Sequence, residues 1–138
     1  MPATVSIQTS ERNGRTYADS GSKWEPLVGY SRAVRTGNTI AVTGTVGIGG
    51  DGKFPSGAAA QTRRALEIIL AAIEALGGQR TDVVRTRMFV TDISRWEEIG
   101  KVHGEVFGDV RPATTMVQVA KLIDDAALVE IEADAVIL

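Results

Sequence analysis

Residues 128–137 read Leu-Val-Glu-Ile-Glu-Ala-Asp-Ala-Val-Ile, and this stretch decides the fold. Apolar and acidic side chains alternate along it with the period of two that is typical of a β-strand. The apolar residues form one face of the strand and the acidic residues form the other: Val129, Ile131, Ala133 and Ala135 against Glu130, Glu132 and Asp134. A sheet that is apolar on one side only packs helices there. We therefore expect function on the charged side.

The N-terminal part of the chain is polar from residue 9 to residue 26. Residues 1–26 include Asn13-Gly14, a turn-forming pair, and are predicted to be an irregular hairpin or surface loop. Two β-rich runs follow, over residues 30–36 and 39–43. The dipeptide between them, Gly37-Asn38, favours a tight hairpin.

Two segments have the apolar spacing of helices. The first runs from Gly57 to Leu76 and has Ser56 as its predicted cap. The second follows a capping box at residues 94–97 and ends before Gly108. Its predicted apolar face consists of Trp96, Ile99, Val102, His103 and Val106.

The strand between the two helices covers residues 83–90. Alternation places Val84, Thr86, Met88 and Val90 on one face of this strand, and Arg85, Arg87 and Phe89 on the other. A further strand lies within residues 111–119. Helices that fill long gaps between strands allow parallel crossovers. The sequence therefore predicts an α+β fold, a mixed β-sheet with two helices packed on one face.

The helix-free face of this sheet gathers opposite charges. Arg85 and Arg87 lie near Glu132 and Asp134 in such an arrangement, and two interpretations stay open. The charges are either solvated cross-strand pairs or part of a surface through which identical subunits assemble. The second interpretation predicts a symmetric oligomer.

Composition excludes several kinds of site. The 138 residues fit a single domain, residues 1–138, and include no cysteine and one histidine, so disulfides and thiolate chemistry are absent and no metal or other cofactor is expected. A formal charge of −2 gives no overall attraction to nucleic acid. No apolar run is long enough for a membrane span, and a cytoplasmic location is expected.

Two motifs are interpreted as structural. Residues 47–52 match the dinucleotide pattern G-x-G-x-x-G, but Lys53-Phe54-Pro55 intervenes before any helix, so a plain loop is predicted. His103 lies on the apolar side of the second helix and is interpreted as a structural residue at the boundary between helix and sheet.

Four stretches together resemble the Rid family of YjgF type, the reactive-intermediate or imine deaminases, also described as L-PSP endoribonucleases. These stretches are residues 37–44, 82–92, 111–119 and 129–133. The resemblance implies a chorismate-mutase-like fold and a homotrimer with inward-facing sheets, with active-site clefts between subunits. It also implies hydrolysis of imines or enamines to a 2-oxo acid and ammonia.

One position departs from the deaminating members of that family. An arginine stands there two residues after the proline of a Pro-Ala-Arg motif, whereas this chain has Thr114. Threonine donates one neutral hydrogen bond and cannot form the charged fork that arginine offers a carboxylate. An atypical substrate is therefore expected. The alternatives are a non-catalytic trimer that binds a small metabolite and, less favoured, a ribonuclease or translation inhibitor.

The resemblance also implies a set of site residues. Glu130 would orient water as the catalytic group, with a plain intersubunit salt bridge as the alternative, and Tyr30 would line the cleft or pack at an interface. The remaining candidates for binding an imine or another small carboxylate are Arg32, Thr43, Gly44, Arg87, Arg111, Thr114 and Met116. Arg32 is the favoured replacement cation because it shares a strand face with Tyr30, although a solvated or interfacial arginine is an equal alternative.

Overall fold

The computed structural model describes residues 5–138, which form seven strands and three helices. The strands are β1 (Gln8–Arg12), β2 (Arg15–Asp19), β3 (Ala33–Thr36), β4 (Thr39–Val46), β5 (Val83–Val90), β6 (Ala113–Gln118) and β7 (Val129–Val136). The helices are α1 (Trp24–Val28), α2 (Ala58–Ala75) and α3 (Trp96–Phe107).

All seven strands belong to one mixed sheet with the order β1-β2-β3-β4-β7-β5-β6. Strand β7 lies between β4 and β5 and is antiparallel to both. Strands β5 and β6 are parallel neighbours joined through α3, as their long connection allowed. The predicted mixed α+β sheet is confirmed.

The core lies between the sheet and the two long helices. The apolar residues of β7 are fully buried, and its acidic residues are half-buried on the other face, as the alternation predicted. Buried residues of α2 and α3 that belong to the same cluster are Ala58, Ala65, Leu66, Ile69, Ala72, Ile73, Ile99, Val102 and Phe107. One face of the sheet is thus covered, and the opposite one is free of α2 and α3. We call this second face the helix-free face because no long helix covers it, although the short helix α1 lies beside it.

The N-terminal hairpin joins the same sheet. Strands β1 and β2 turn at Asn13-Gly14, where both residues have positive φ, and β2 pairs with β3. Of the two forms predicted for residues 1–26, the described part contains the hairpin, and residues 1–4 lie outside the described range. The short helix α1 was not predicted.

Two predicted strand details were wrong. Strand β3 begins at Ala33 rather than Tyr30, because Gly29 ends α1 in the left-handed conformation and the Tyr30 amide still donates to the Glu25 carbonyl. In β5, Val84 is 47% exposed because the pairing with β7 shifts between Val83 and Arg85. The shift is a β-bulge that turns Val83 inward instead.

Both predicted helix starts also need correction. Helix α3 starts at Trp96 without a side-chain cap, since the Asp92 carboxylate accepts the Ser94 amide and caps a preceding 3-10 turn. Trp96, expected on the buried face, is 56% exposed. Helix α2 follows Gly57 at φ +93°, and Ser56 does not cap it.

The glycine-rich segment forms the predicted loop between β4 and α2. Its turn is closed by the Gly49 amide donating to the Lys53 carbonyl at 2.8 Å. Gly47 packs directly on the first turn of α2, where an added Cβ would lie 2.0 Å from the Gln61 carbonyl oxygen. Only a residue without a side chain allows this approach.

We expect Gly47→Ala to destabilise the protein by about 1–3 kcal/mol, because backbone atoms of α2 must move to admit the methyl group. Urea unfolding measures the effect. The matched control is Gly104→Ala in α3, where a Cβ meets nothing within 4 Å and where helix propensity predicts a gain of about 1 kcal/mol. Equal stability of the Gly47 variant and the wild type would contradict the packing described here.

Candidate functional site

Glu130 lies on the helix-free face of the sheet and packs against Gly44. The pairing of β4 with β7 shifts between Val42 and Thr45, so that Thr43 and Gly44 form a bulge opposite the acidic side of β7. A Cβ on Gly44 would lie 2.9 Å from Cδ of Glu130. The glycine therefore makes room for the carboxylate.

The environment of Glu130 disfavours its charge. Burial raises the pKa of the Glu130 carboxyl above its ordinary value of 4.5, and the neighbouring Glu132 raises it further, whereas Arg32 lowers it. A carboxylate with a raised pKa is a stronger base than a glutamate in open solvent. This side chain therefore fits the acceptance of a proton from water.

Arg32 forms a buried ion pair with Glu25. Its Nη2 lies 3.1 Å from Glu25 Oε2, and both residues are only 5% exposed. Its Nη1 donates to the Gly44 carbonyl and to Thr45 Oγ1, both at 3.1 Å. Its Nε donates to Ser20 Oγ at 3.2 Å. The charge and most of the donors of Arg32 are thus engaged within the protein, which weakens the case for it as the substrate-binding cation.

Glu25 was missed in the sequence because no local pattern marks it. It lies in a five-residue helix too short to show periodicity, and its partner follows seven residues later. The carboxylate also accepts from the amides of Ser20 and Gly21. It thereby fixes the segment from β2 to β3 against the bulge that carries Gly44.

An open groove of about 990 Å³ lies on the helix-free face next to this cluster. Strands β2, β3 and β4 form its floor through residues such as Tyr17, Val34 and Ala41, and the α1 segment forms one wall. Two predicted site residues, Tyr30 and Thr43, line it. The Tyr30 ring also lies 5.7 Å from Cζ of Arg32, so the groove and the Glu130 cluster are adjacent.

The other two candidate arginines lie elsewhere. Arg87 bridges Glu132 at 3.5 Å and Asp134 at 3.3 Å, and these side chains are each more than a third exposed. Within one chain these contacts are solvated cross-strand ion pairs, the first of the two interpretations given for the charged face. Arg111 is exposed, lies two residues before β6 and has φ +54°, an uncommon conformation for a residue that precedes proline.

Thr114 and Met116 face the opposite side of the sheet from Glu130. Thr114 pairs in register with Thr86, and Met116 pairs with Met88, and paired residues in neighbouring strands point to the same face. Thr86 and Met88 are buried under the helices. Within one chain, therefore, Thr114 and Glu130 do not line a common site.

A short chain of hydrogen bonds links Thr114 to α3. The Thr114 hydroxyl contacts the Thr86 hydroxyl, which in turn lies 2.8 Å from Nε2 of His103. His103 is 9% exposed, and burial lowers its pKa below the ordinary 6.5. The predicted position of His103 between helix and sheet is confirmed, and its neutral ring satisfies a buried hydroxyl.

Neither a metal site nor a membrane-spanning helix is present in the described part of the chain. Among residues 5–138, no three histidine or acidic side chains come together as a group able to hold a metal ion. The same residues contain no helix with the length and apolarity needed to cross a membrane.

Comparison with known proteins agrees with the fold. A family profile described as endoribonuclease L-PSP matches residues 21–137. The crystal structure of Rv2704 from Mycobacterium tuberculosis, a member of the YjgF/YER057c/UK114 family, is 53% identical to this chain. It superposes with a TM-score of 0.83 over 89% of this chain and 99% of that one.

One relative is known by its activity and another by its bound ligand. The 2-iminobutanoate/2-iminopropanoate deaminase of Escherichia coli is 33% identical over 111 residues, covering 78% of this chain and 86% of that protein. The crystal structure of Escherichia coli TdcF with bound serine is 29% identical, with a TM-score of 0.75 over 79% of this chain and 88% of that one.

We expect Glu25→Gln to destabilise the protein by about 3–5 kcal/mol, because the buried Arg32 guanidinium loses its counter-charge. Arg87→Gln removes an ion pair on the exposed face and is the matched control, with an expected cost of at most about 1 kcal/mol. Urea unfolding at neutral pH compares the two variants. Similar losses in both would contradict the structural role assigned to the Glu25–Arg32 pair.

Proposed function

Because this chain belongs to the endoribonuclease L-PSP family, which includes the Rid proteins of YjgF type, we propose that it hydrolyses reactive imines or enamines to a carbonyl compound and ammonia. The observation that carries the proposal is the half-buried Glu130 carboxylate, packed on Gly44 beside an open groove, with a raised pKa. The deaminase from Escherichia coli gives the reaction class.

The proposed reaction needs a base and a positioned water. Ionised Glu130 accepts a proton from water as the water oxygen attacks the carbon of the protonated imine, giving a tetrahedral carbinolamine. The Glu130 carboxyl then gives this proton to the nitrogen, and ammonia leaves as the carbinolamine hydroxyl loses its proton to Glu130 and the carbon–oxygen double bond forms. Tyr30 and Thr43 line the groove that would hold the organic part of the substrate. In this scheme Arg32 does not contact the substrate. It donates a hydrogen bond to the Gly44 carbonyl, and its positive charge lowers the pKa of Glu130.

We further propose that the complete site forms between copies of the chain, in a homotrimer of chorismate-mutase-like form with inward-facing sheets. Support comes from the opposite orientation of Glu130 and Thr114, since a site that uses both must take one of them from a second copy. The helix-free face also bears Val117, 42% exposed at the sheet edge, where contact with another copy would cover it.

Substrate choice is expected to differ from that of the deaminating relatives. Thr114 contributes a hydroxyl that already contacts Thr86, and it carries no charge for a carboxylate. The same observation favours the alternative of a trimer that binds a small metabolite without turnover. Ribonuclease activity is the least favoured function because the chain has a formal charge of −2 and only two Trp, two Tyr and three Phe.

We expect purified protein to accelerate ammonia release from freshly generated 2-iminoacids, and Glu130→Gln to lower the rate by about 10²-fold or more, as loss of a general base does. The acid limb of the rate profile should lie above pH 4.5, because the active form is ionised and the pKa of Glu130 is raised. Glu132→Gln removes a neighbouring negative charge and should move that limb to lower pH.

Several amino-acid precursors of the imine belong in this assay. The protein would be a binding protein rather than a hydrolase if it released ammonia from none of these imines faster than buffer does and yet bound a 2-oxo acid saturably. Cleavage of RNA by highly purified protein, lost in Glu130→Gln, would instead support the nuclease.

We expect sedimentation at micromolar concentration to give three times the chain mass of 14.6 kDa. A charged residue introduced on the helix-free edge, Val117→Asp, should weaken this assembly because it would be buried against another copy. Val84→Asp, at the exposed bulge of the neighbouring strand, tests whether the effect is local to that edge. A stable monomer with full activity would eliminate the proposed intersubunit site.

A further inference from the structure

Two threonines lie side by side on the helix side of the sheet, one in β5 and one in β6. These strands are parallel, and Thr86 and Thr114 are partners in register. Thr86 is fully buried, whereas Thr114 is exposed on the last strand of the sheet. Their hydroxyl groups are in contact, so one of them donates its proton to the other.

The third member of this hydrogen-bond chain is His103, the single histidine of the sequence. Its Nε2 lies 2.8 Å from the Thr86 hydroxyl. Burial lowers the pKa of the ring below 6.5, so the ring is neutral at pH 7 and carries one N–H. No described residue bonds Nδ1. Because every buried side-chain nitrogen and oxygen in residues 5–138 has a hydrogen-bond partner, Nδ1 is reached by solvent.

The positions of the acceptors give the protons of this chain one direction. The Thr114 hydroxyl is placed to donate to both oxygens of Thr86, since it lies 3.2 Å from the carbonyl and contacts the hydroxyl. The Thr86 proton then has Nε2 of His103 as its remaining acceptor. In this arrangement the ring proton is on Nδ1, where water accepts it, and Thr114 offers only lone pairs to a ligand.

On the premise of the proposed function, we propose that His103 and Thr86 are positioning residues that hold the Thr114 hydroxyl as a hydrogen-bond acceptor. This part of the site then receives an N–H donor rather than a carboxylate. The substrate class is an imine or enamine whose neighbouring group is an amide or another N–H donor. A carboxylate there would face lone pairs with no proton between them, whereas an arginine at this position has donors only and selects the opposite ligand.

Nitrogen NMR of the tag-free wild-type protein tests the direction of the hydrogen-bond chain, because its spectrum contains one histidine ring. Protonated and unprotonated ring nitrogens have well-separated chemical shifts. At neutral pH we expect the proton on Nδ1 and an unprotonated Nε2. A proton on Nε2 would overturn the inference, since the ring would then donate to Thr86 and the Thr114 proton would be free for a ligand.

Calorimetry with a matched pair of ligands tests the specificity. The ligands 2-oxobutanamide and 2-oxobutanoate resemble products of the hydrolysis and differ in the amide that replaces the carboxylate. We expect the wild type to bind the amide about 10-fold or more tightly than the acid, the usual effect of an unsatisfied polar contact. Thr114→Val should remove this preference by weakening the amide. Thr86→Val should remove it by strengthening the acid, because Thr114 then has a proton to donate.

Each variant has a matched control. Thr62→Val also exchanges a fully buried threonine for valine, but the Thr62 hydroxyl donates to the Ala58 carbonyl within α2. Thr9→Val changes an exposed threonine in a strand at the other end of the sheet. Both controls should keep the wild-type ratio of affinities. A general loss of stability therefore does not imitate the tighter acid binding expected of Thr86→Val.

The outcomes separate this inference from the proposed function. It is overturned, even if imine hydrolysis is found, by equal affinity for acid and amide, by a preference that survives Thr114→Val or Thr86→Val, or by no measurable binding of either ligand. The amide preference together with an unprotonated Nε2 supports it even if no turnover is detected.

Discussion

The insertion of β7 between β4 and β5 is the constraint on which the structure depends. Within residues 5–138, β4 and β5 do not pair with each other, so the hydrogen bonds that join the two halves of the sheet are those of β7 to β4 on one side and to β5 on the other. The same strand separates the two environments of the molecule. Its apolar side chains complete the core under α2 and α3, and its carboxylates define the surface opposite.

Placement of the candidate site follows from this division. Glu130 belongs to the face without long helices, and the bulge of β4 at Gly44 provides the space for its carboxylate. The Glu25–Arg32 pair, buried beneath, ties the α1 segment to that bulge and thereby gives the groove a fixed wall. Thr114 belongs to the other face, and its hydroxyl is linked to the core by a chain of hydrogen bonds through Thr86 to His103.

The sequence predicted the features that arise from regular periodicity. Alternation in β7, the hairpin at Gly37-Asn38, both long helices and the loop at residues 47–52 follow from patterns within a few residues of each other. Bulges break that regularity, which is why Val84 was assigned to the wrong face. The ion pair between Glu25 and Arg32 depends on how the α1 segment packs, and no local pattern encodes it. Resemblance indicated Glu130 and Tyr30, but it could not reveal that Arg32 is already paired.

The central position of β7 has a consequence for synthesis of the protein. Residues 39–46 and 83–90 have emerged from the ribosome well before residues 129–136, yet the sheet cannot join them until that later segment exits the tunnel. Until then the nascent chain exposes two unpaired strand edges and the apolar sides of both helices, the state in which chains aggregate or recruit chaperones. Native pairing is dominated by contacts distant in sequence, and so we expect folding to be slow for a chain of this size.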